Sequence, residues 1–199
     1  MTKAAWAAFS PSAAHFRKLH MILSPPQTVI LSPERSEIAD FIGERRQRAV
    51  ERMGAHDARG AQIDREEAVA LHVFGARGES AARLFFRDEP AWNRNNADLD
   101  PNCADLGDFI DVKAVRRADH ALIVSPHNLH ADWAYFLVDG SEHPKWRMVG
   151  WLYGREINAG GFLSKPDYHR PVAYTVPQAA LWRKPMALYD VWKEREEAK

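Results

Sequence analysis

An α/β fold, with helices flanking one central sheet, is what the sequence predicts, on three observations. The apolar periodicity changes from helical to strand-like near residue 109. The elements read in the order helix, helix, three or four strands, helix, which suits a layered sandwich around a single sheet. The 199 residues, 46% of them hydrophobic, furnish one core of ordinary size at roughly 100–200 residues per domain. The same composition excludes other classes. Lys and Arg number 27 and are offset by 27 Asp and Glu, so no blanket of positive charge coats the chain, although a local basic groove is compatible with it. No run approaches the roughly 18 consecutive apolar residues of a membrane span, so no membrane partner is expected. Cys103 is the single cysteine, which precludes an internal disulfide and fits a reducing, cytoplasmic compartment.

Residues 1–30 read as a loosely attached extension. They are Ala-rich, broken by Ser10-Pro11 and Ser24-Pro25-Pro26, and their apolar run Met21-Ile22-Leu23 is too short for a signal-peptide core. Met21 offers an alternative start. Residues 31–199 read as one domain. A first helix begins near Ser32, which can cap it, with Pro33 at the first helical position and Glu34 at the positive end of the dipole. Ile38, Phe41, Ile42 and Ala49 recur at helical spacing and predict its buried face, with Arg45, Arg46 and Arg48 on the other side, up to about Gly54. A second helix is expected from about Arg65 to Phe86, with the stripe Leu71, Phe74, Gly78, Ala81, Ala82 and Phe85. Gly75 and Gly78 cost such a helix about 1 kcal/mol each, which makes sense where the helix must approach another backbone closely.

Residues 88–104 have loop composition. Short β-favouring runs follow at 109–115, 121–125, 133–138 and 147–152. A Gly- and Pro-punctuated loop is expected over 153–172, then a closing helical region over 175–193 that Pro185 breaks or kinks.

The run from Ala104 to Val115 carries the chemistry. On a strand, Phe109, Asp111, Lys113 and Val115 share one face, while Ile110, Val112 and Ala114 share the other. Leu106-Gly107-Asp108 can turn, bringing Asp105 back beside the head of that strand. Two adjacent carboxylates resist ionisation unless a positive charge lies between them, and a divalent cation such as Mg²⁺ serves that purpose. Such an ion polarises a phosphodiester oxygen and acidifies water, with Lys113 orienting that water or stabilising developing charge. The alternative is a surface i, i+2 pair of Asp111 and Lys113. Glu79 falls on the same helical face as Gly75, Ala82 and Phe86, where a lone carboxylate is costly to bury. It either points into the cation-bearing cleft, directly or through water, or reaches solvent and pairs with Arg83.

Other clusters have plainer readings. His127, His130 and Asp132 could ligate zinc, but Pro126 and Asn128 indicate a loop between strands. Trp133 and Trp151 lie in apolar strand text and read as core, whereas Trp92, beside Asn93-Arg94, is the better candidate for stacking on a nucleic-acid base. Arg116 and Arg117 directly follow the acidic strand and are candidate phosphate contacts, with Lys145, Arg147, Arg183 and Lys184 as further flanking charges.

Taken together, Gly78-Glu79-x-Ala81 on a helix, then Asp105, then Asp111-Val112-Lys113 on a strand, resemble the PD-(D/E)xK nuclease superfamily, especially its small phage and prophage members. Leu122-Ile123-Val124, Ala131-Asp132-Trp133 before Tyr135-Phe136-Leu137-Val138, Val149-Gly150-Trp151-Leu152 and Tyr174-Thr175-Val176-Pro177-Gln178 continue the family order, so the resemblance covers about residues 66–190. Ala104 stands where the family commonly has proline, and Asp111 where glutamate is commoner. The resemblance implies a restriction-endonuclease-like α-β-β-β-α-β core with a mixed central sheet. It implies Mg²⁺ (or Mn²⁺) held by Asp105, Asp111 and the accessory acid Glu79, with Lys113 as catalytic lysine, and hydrolysis of DNA. Asp108 competes with Asp105 for the first ligand position. A homodimer is compatible with the family, and so is a non-catalytic nucleic-acid-binding or assembly protein that keeps the fold.

Overall fold

The computed structural model describes residues 27–52, 64–87, 103–164, 172–182 and 184–198. In chain order its elements are β1 (Gln27–Ile30), α1 (Pro33–Arg52), α2 (Arg65–Phe86), β2 (Ile110–Val115), β3 (Leu122–Val124), β4 (Ala134–Glu142), β5 (Lys145–Tyr153), α3 (Gly154–Ala159), β6 (Tyr174–Val176) and α4 (Pro185–Glu197). The fold is mixed α/β. Its central sheet has the order β1-β5-β4-β2, with β2 parallel to β4 and the other neighbours antiparallel. A separate antiparallel ribbon, β3-β6, completes the strands.

Both faces of the sheet are covered, which is why β4 reads as the continuous apolar run Ala134-Tyr135-Phe136-Leu137-Val138 rather than as an alternation. Phe136, Val138, Trp146 and Met148 pack with Ala81, Ala82 and Phe86 of α2 and Leu188 of α4. Tyr135, Leu137 and Leu152 pack on the other side with Leu122, Val124 and Val176 of the ribbon and Ile157 of α3. Trp146 is fully buried, so it is a core residue and cannot stack on a ligand. Trp133 and Trp151 also pack in the core, as their sequence context predicts.

The helix starts follow their capping signals. Ser32 Oγ accepts the Arg35 N–H at 3.3 Å, and Asp64 caps α2 by accepting the Glu67 N–H at 2.8 Å. Arg87 closes α2 in the left-handed conformation. Among the described residues no helix is long and apolar enough to cross a membrane.

Several expectations are corrected. The boundary drawn at residue 30 fails for its last four residues, because Gln27–Ile30 form the edge strand β1 against β5. These residues are too few to show a period, and their partner lies more than a hundred residues away. The buried face of α1 is Ala39, Ile42, Gly43 and Gln47, while Phe41 is exposed. Small residues decide this face: a Cβ on Gly43 would lie 2.4 Å from the Val73 Cα, so the α1 and α2 backbones touch there. Leu71 is likewise exposed on α2. The expected loop over 153–172 contains the short helix α3, and Pro185 opens α4 instead of kinking a longer helix. Gly78 meets the close-packing expectation, since a Cβ there would lie 2.7 Å from that of Ala114 on β2; Gly75 does not, having nothing within 4 Å.

Candidate active site

The site forms at the outer edge of β2. Leu106 and Ile110 exchange both backbone hydrogen bonds, at 3.0 and 3.2 Å, around a turn in which Gly107 has φ +57°. That positive φ suits glycine and reverses the chain tightly. The reversal sets Asp105 against the strand, where its Oδ2 accepts the Val112 N–H at 2.7 Å. Asp111 is buried at 8% exposure, and Lys113 Nζ donates to its Oδ1 at 2.6 Å. The parallel register puts Asp111 beside Tyr135 and Lys113 beside Leu137, so both project from the β3-β6 face of the sheet, as the alternation predicts. Asp108 is exposed in the turn, so of the two competing aspartates Asp105 is the one that meets Asp111.

Glu79 reaches this edge from α2. Close packing at Gly78 is what lets the helix sit low enough on β2 and β4. Glu79 is only 6% exposed, and its carboxylate is gripped by Arg46 of α1, one guanidinium nitrogen on each oxygen, with Nη2–Oε2 at 2.7 Å. Arg83 donates to the Asp105 carbonyl and also acts electrostatically on Glu79. Glu79, expected to complete a cation's shell, is therefore held by an arginine from another helix. Among the described residues no three His, Cys, Asp or Glu side chains gather so as to hold a metal ion.

The charges in this cluster act on one another. Burial, then repulsion from Asp111, pushes the Asp105 carboxyl up to about 7, against the opposing pull of Lys113 and the Val112 N–H. Burial and Asp105 raise Glu79 as well, opposed by Arg46 and Arg83. Burial alone would depress the Lys113 amine, but Asp111, Asp105 and Glu79 together hold it above its ordinary value. Lys113 is consequently an ammonium throughout the physiological range, able to donate and unable to accept a proton.

These directions predict a pH dependence. A carboxyl raised in the folded state binds its proton more tightly there than in the unfolded chain, so stability falls as pH rises from about 4 through about 7. His72, lowered by burial and Arg46, and His143, lowered by burial and Arg77, act in the opposite sense. Asp105→Asn keeps an acceptor for Val112 and isolates the carboxyl. In EDTA, the melting temperature of the Asn variant relative to the unaltered chain should rise by roughly 5–10 °C between pH 5 and pH 8; a difference independent of pH would show that Asp105 is not raised.

The remaining sequence-predicted residues lie elsewhere or are otherwise engaged. Arg116 donates to the Ala70 carbonyl at 2.9 Å and lies over the Phe74 ring, and Arg117 forms an exposed pair with Asp119 at 3.0 Å. Lys145 pairs with Glu142 and Arg147 with buried Asp139, near the β4-β5 turn. His130 stacks on Trp133, and Asp132 pairs with Arg155, so the histidine loop braces the start of β4. Lys184 is exposed at the start of α4, while Trp92 and Arg183 lie outside the described residues. Arg46, expected with Arg45 and Arg48 on the side of α1 away from its buried face, instead turns to α2 and is the site residue that sequence reasoning missed. Its signal was the i, i+3, i+4, i+7 spacing of Ala39, Ile42, Gly43 and Arg46, which places it on the face turned to α2. No protein-family model, curated protein or solved structure matches the chain.

Proposed function

We propose that the protein is a Mg²⁺-dependent endonuclease-like hydrolase of DNA phosphodiesters, built on a restriction-endonuclease-like version of its mixed α/β fold. The observation that carries this reading is the pair Asp105 and Asp111, forced together at the edge of β2 with the Lys113 ammonium 2.6 Å from Asp111. The donor set suits the ion, because Mg²⁺ commonly takes one or two carboxylates and fills its remaining positions with water and phosphate oxygens. Two repelling carboxylates at a half-buried edge are the arrangement that a divalent cation relieves. When bound, the ion supplies polarisation of a phosphodiester oxygen and a lowered pKa for nearby water.

The chain's own groups do the rest. Lys113 donates to the attacking water or to an oxygen on which negative charge grows, and its fixed positive state suits that role better than proton abstraction. Asp111 orients Lys113 through their hydrogen bond, and Asp105 is itself fixed by the Val112 N–H. The water oxygen bonds to phosphorus as the bond to the leaving sugar oxygen breaks, the water proton passes to solvent, and the departing sugar oxygen takes a proton from solvent water to become a hydroxyl.

Incubation with plasmid and single-stranded DNA in Mg²⁺ or Mn²⁺ tests this reading. Cleavage is expected, and Lys113→Ala should slow it by about 10²–10³-fold. Cleavage unaffected by that substitution would place the activity elsewhere. The second reading, a non-catalytic nucleic-acid-binding or assembly protein, is favoured by the capture of Glu79 by Arg46, and DNA binding without cleavage in either metal would establish it.

A further inference from the structure

Three acids, Glu79, Asp105 and Asp111, and three cations, Arg46, Arg83 and Lys113, make up the candidate site. Two of the cations belong to the elements that carry the acids. The third, Arg46, comes from α1, which lies outside the stretch on which the nuclease resemblance rests. Its side chain is 21% exposed against 8% for that of Glu79, so the pair is largely withdrawn from water. The contact is bidentate, matching the planar guanidinium fork to both carboxylate oxygens. Arg46 also has little freedom to leave. Its helix is locked on α2 at Gly43 and by Arg77 of α2, which pairs with Asp40 of α1 at 2.6 and 2.7 Å.

We propose that Arg46 is a positioning residue, a built-in counter-ion that keeps the Glu79 carboxylate on its guanidinium, so that a divalent cation entering beside Asp105 and Asp111 must compete with Arg46 for the third acid. This inference rests on the hydrolase reading and adds to it a residue and a consequence. With three cations already set against the three acids, the protein alone holds a divalent cation loosely. Adding the ion leaves the cluster with two surplus positive charges, which favours an anionic phosphodiester as the next ligand. Arg46 thus trades metal affinity for affinity toward the polynucleotide backbone.

The test is a calorimetric titration of the full chain with Mn²⁺ at pH 8.5, without DNA. Arg46→Gln is expected to bind Mn²⁺ about tenfold more tightly than the unaltered chain, since one positive charge leaves the cluster and one carboxylate is released. Arg46→Lys, which keeps the charge but makes a point contact, should fall between them. The double variant Arg46→Gln with Glu79→Gln should lose the gain. In plasmid cleavage, Arg46→Gln should raise KM for DNA.

A purely structural role for Arg46 would weaken metal binding or leave it unchanged, and either result in a variant with the native circular dichroism spectrum overturns the inference. So does a double variant that retains the gain. If Arg46→Gln fails to fold, Arg46→Lys is decisive, because an affinity no tighter than that of the unaltered chain defeats the idea. Cleavage by the unaltered chain together with unchanged Mn²⁺ affinity in the variants removes this inference alone. Absence of Mn²⁺ uptake and of cleavage in every form removes the hydrolase reading with it.

Discussion

Asp111→Asn is expected to reduce DNA cleavage by at least about 10³-fold at saturating Mg²⁺, while raising the melting temperature of the metal-free protein. The two effects share one cause. Asp111 is 8% exposed, and its charge helps to push Asp105 up to about 7. Asparagine keeps the shape and still offers Lys113 an oxygen, but it removes the repulsion, so Asp105 becomes the undivided partner of the ammonium. Most substitutions at buried polar positions destabilise by about 0.5–3 kcal/mol. An opposite sign here is the mark of groups assembled for something other than stability. Single-turnover nicking and a melting curve in EDTA check both halves. An Asn variant that cleaves within tenfold of the unaltered chain would exclude Asp111 from the reaction. A variant that melts well below it would make Asp111 a structural partner of Lys113, which is the alternative the bare sequence leaves open.

The parts of this site legible in the sequence were the local ones. The face-sharing of Asp111 and Lys113 follows from the period of a strand, and the return of Asp105 follows from glycine in a tight turn, here with φ +57°. Both lie within ten residues of each other, where backbone stereochemistry leaves few choices. The partner of Glu79 was not legible. Arg83, four residues away on the same helix, was the local candidate, whereas Arg46 is 33 residues away, and only the packing of α1 on α2 brings it there.

The same division runs through the fold. The helix expected from about Arg65 to Phe86 is legible because its apolar period is sustained, and in the structure the Asp64 cap and a left-handed Arg87 close it at those bounds. β1 was invisible because four residues of edge strand owe their structure to β5 rather than to their own pattern. The face of α1 was misjudged for a related reason. Hydrophobicity singles out Phe41, but the helix pair closes over its smallest residues, Ala39 and Gly43, and the angle so chosen carries Arg46 inward and leaves Phe41 outside.

That closure gives the second large effect, which separates two helical glycines, Gly43 of α1 and Gly75 of α2. Gly43→Ala is expected to destabilise the protein by about 2 kcal/mol, lowering its melting temperature by roughly 4–8 °C. Gly75→Ala is expected to stabilise it by up to about 1 kcal/mol. Both positions are helical, and alanine gains the same propensity at each. At Gly75 the new methyl meets open space, so the propensity gain stands alone. At Gly43 it would lie 2.4 Å from the Val73 Cα, 2.5 Å from the Val73 nitrogen and 2.8 Å from the His72 carbonyl carbon. All three are backbone atoms of a long helix, which no side-chain rotation can move aside, so the helices must separate and the clash outweighs the propensity. Separation also draws Arg46, one turn along α1, away from Glu79, so Gly43→Ala should reproduce part of the tightened Mn²⁺ binding expected of Arg46→Gln. Thermal melting of the two alanine variants side by side decides the first claim. If both shift in the same direction, the contact at Gly43 is not the one that sets the spacing of α1 and α2, and Arg46 owes its place at the site to some other contact.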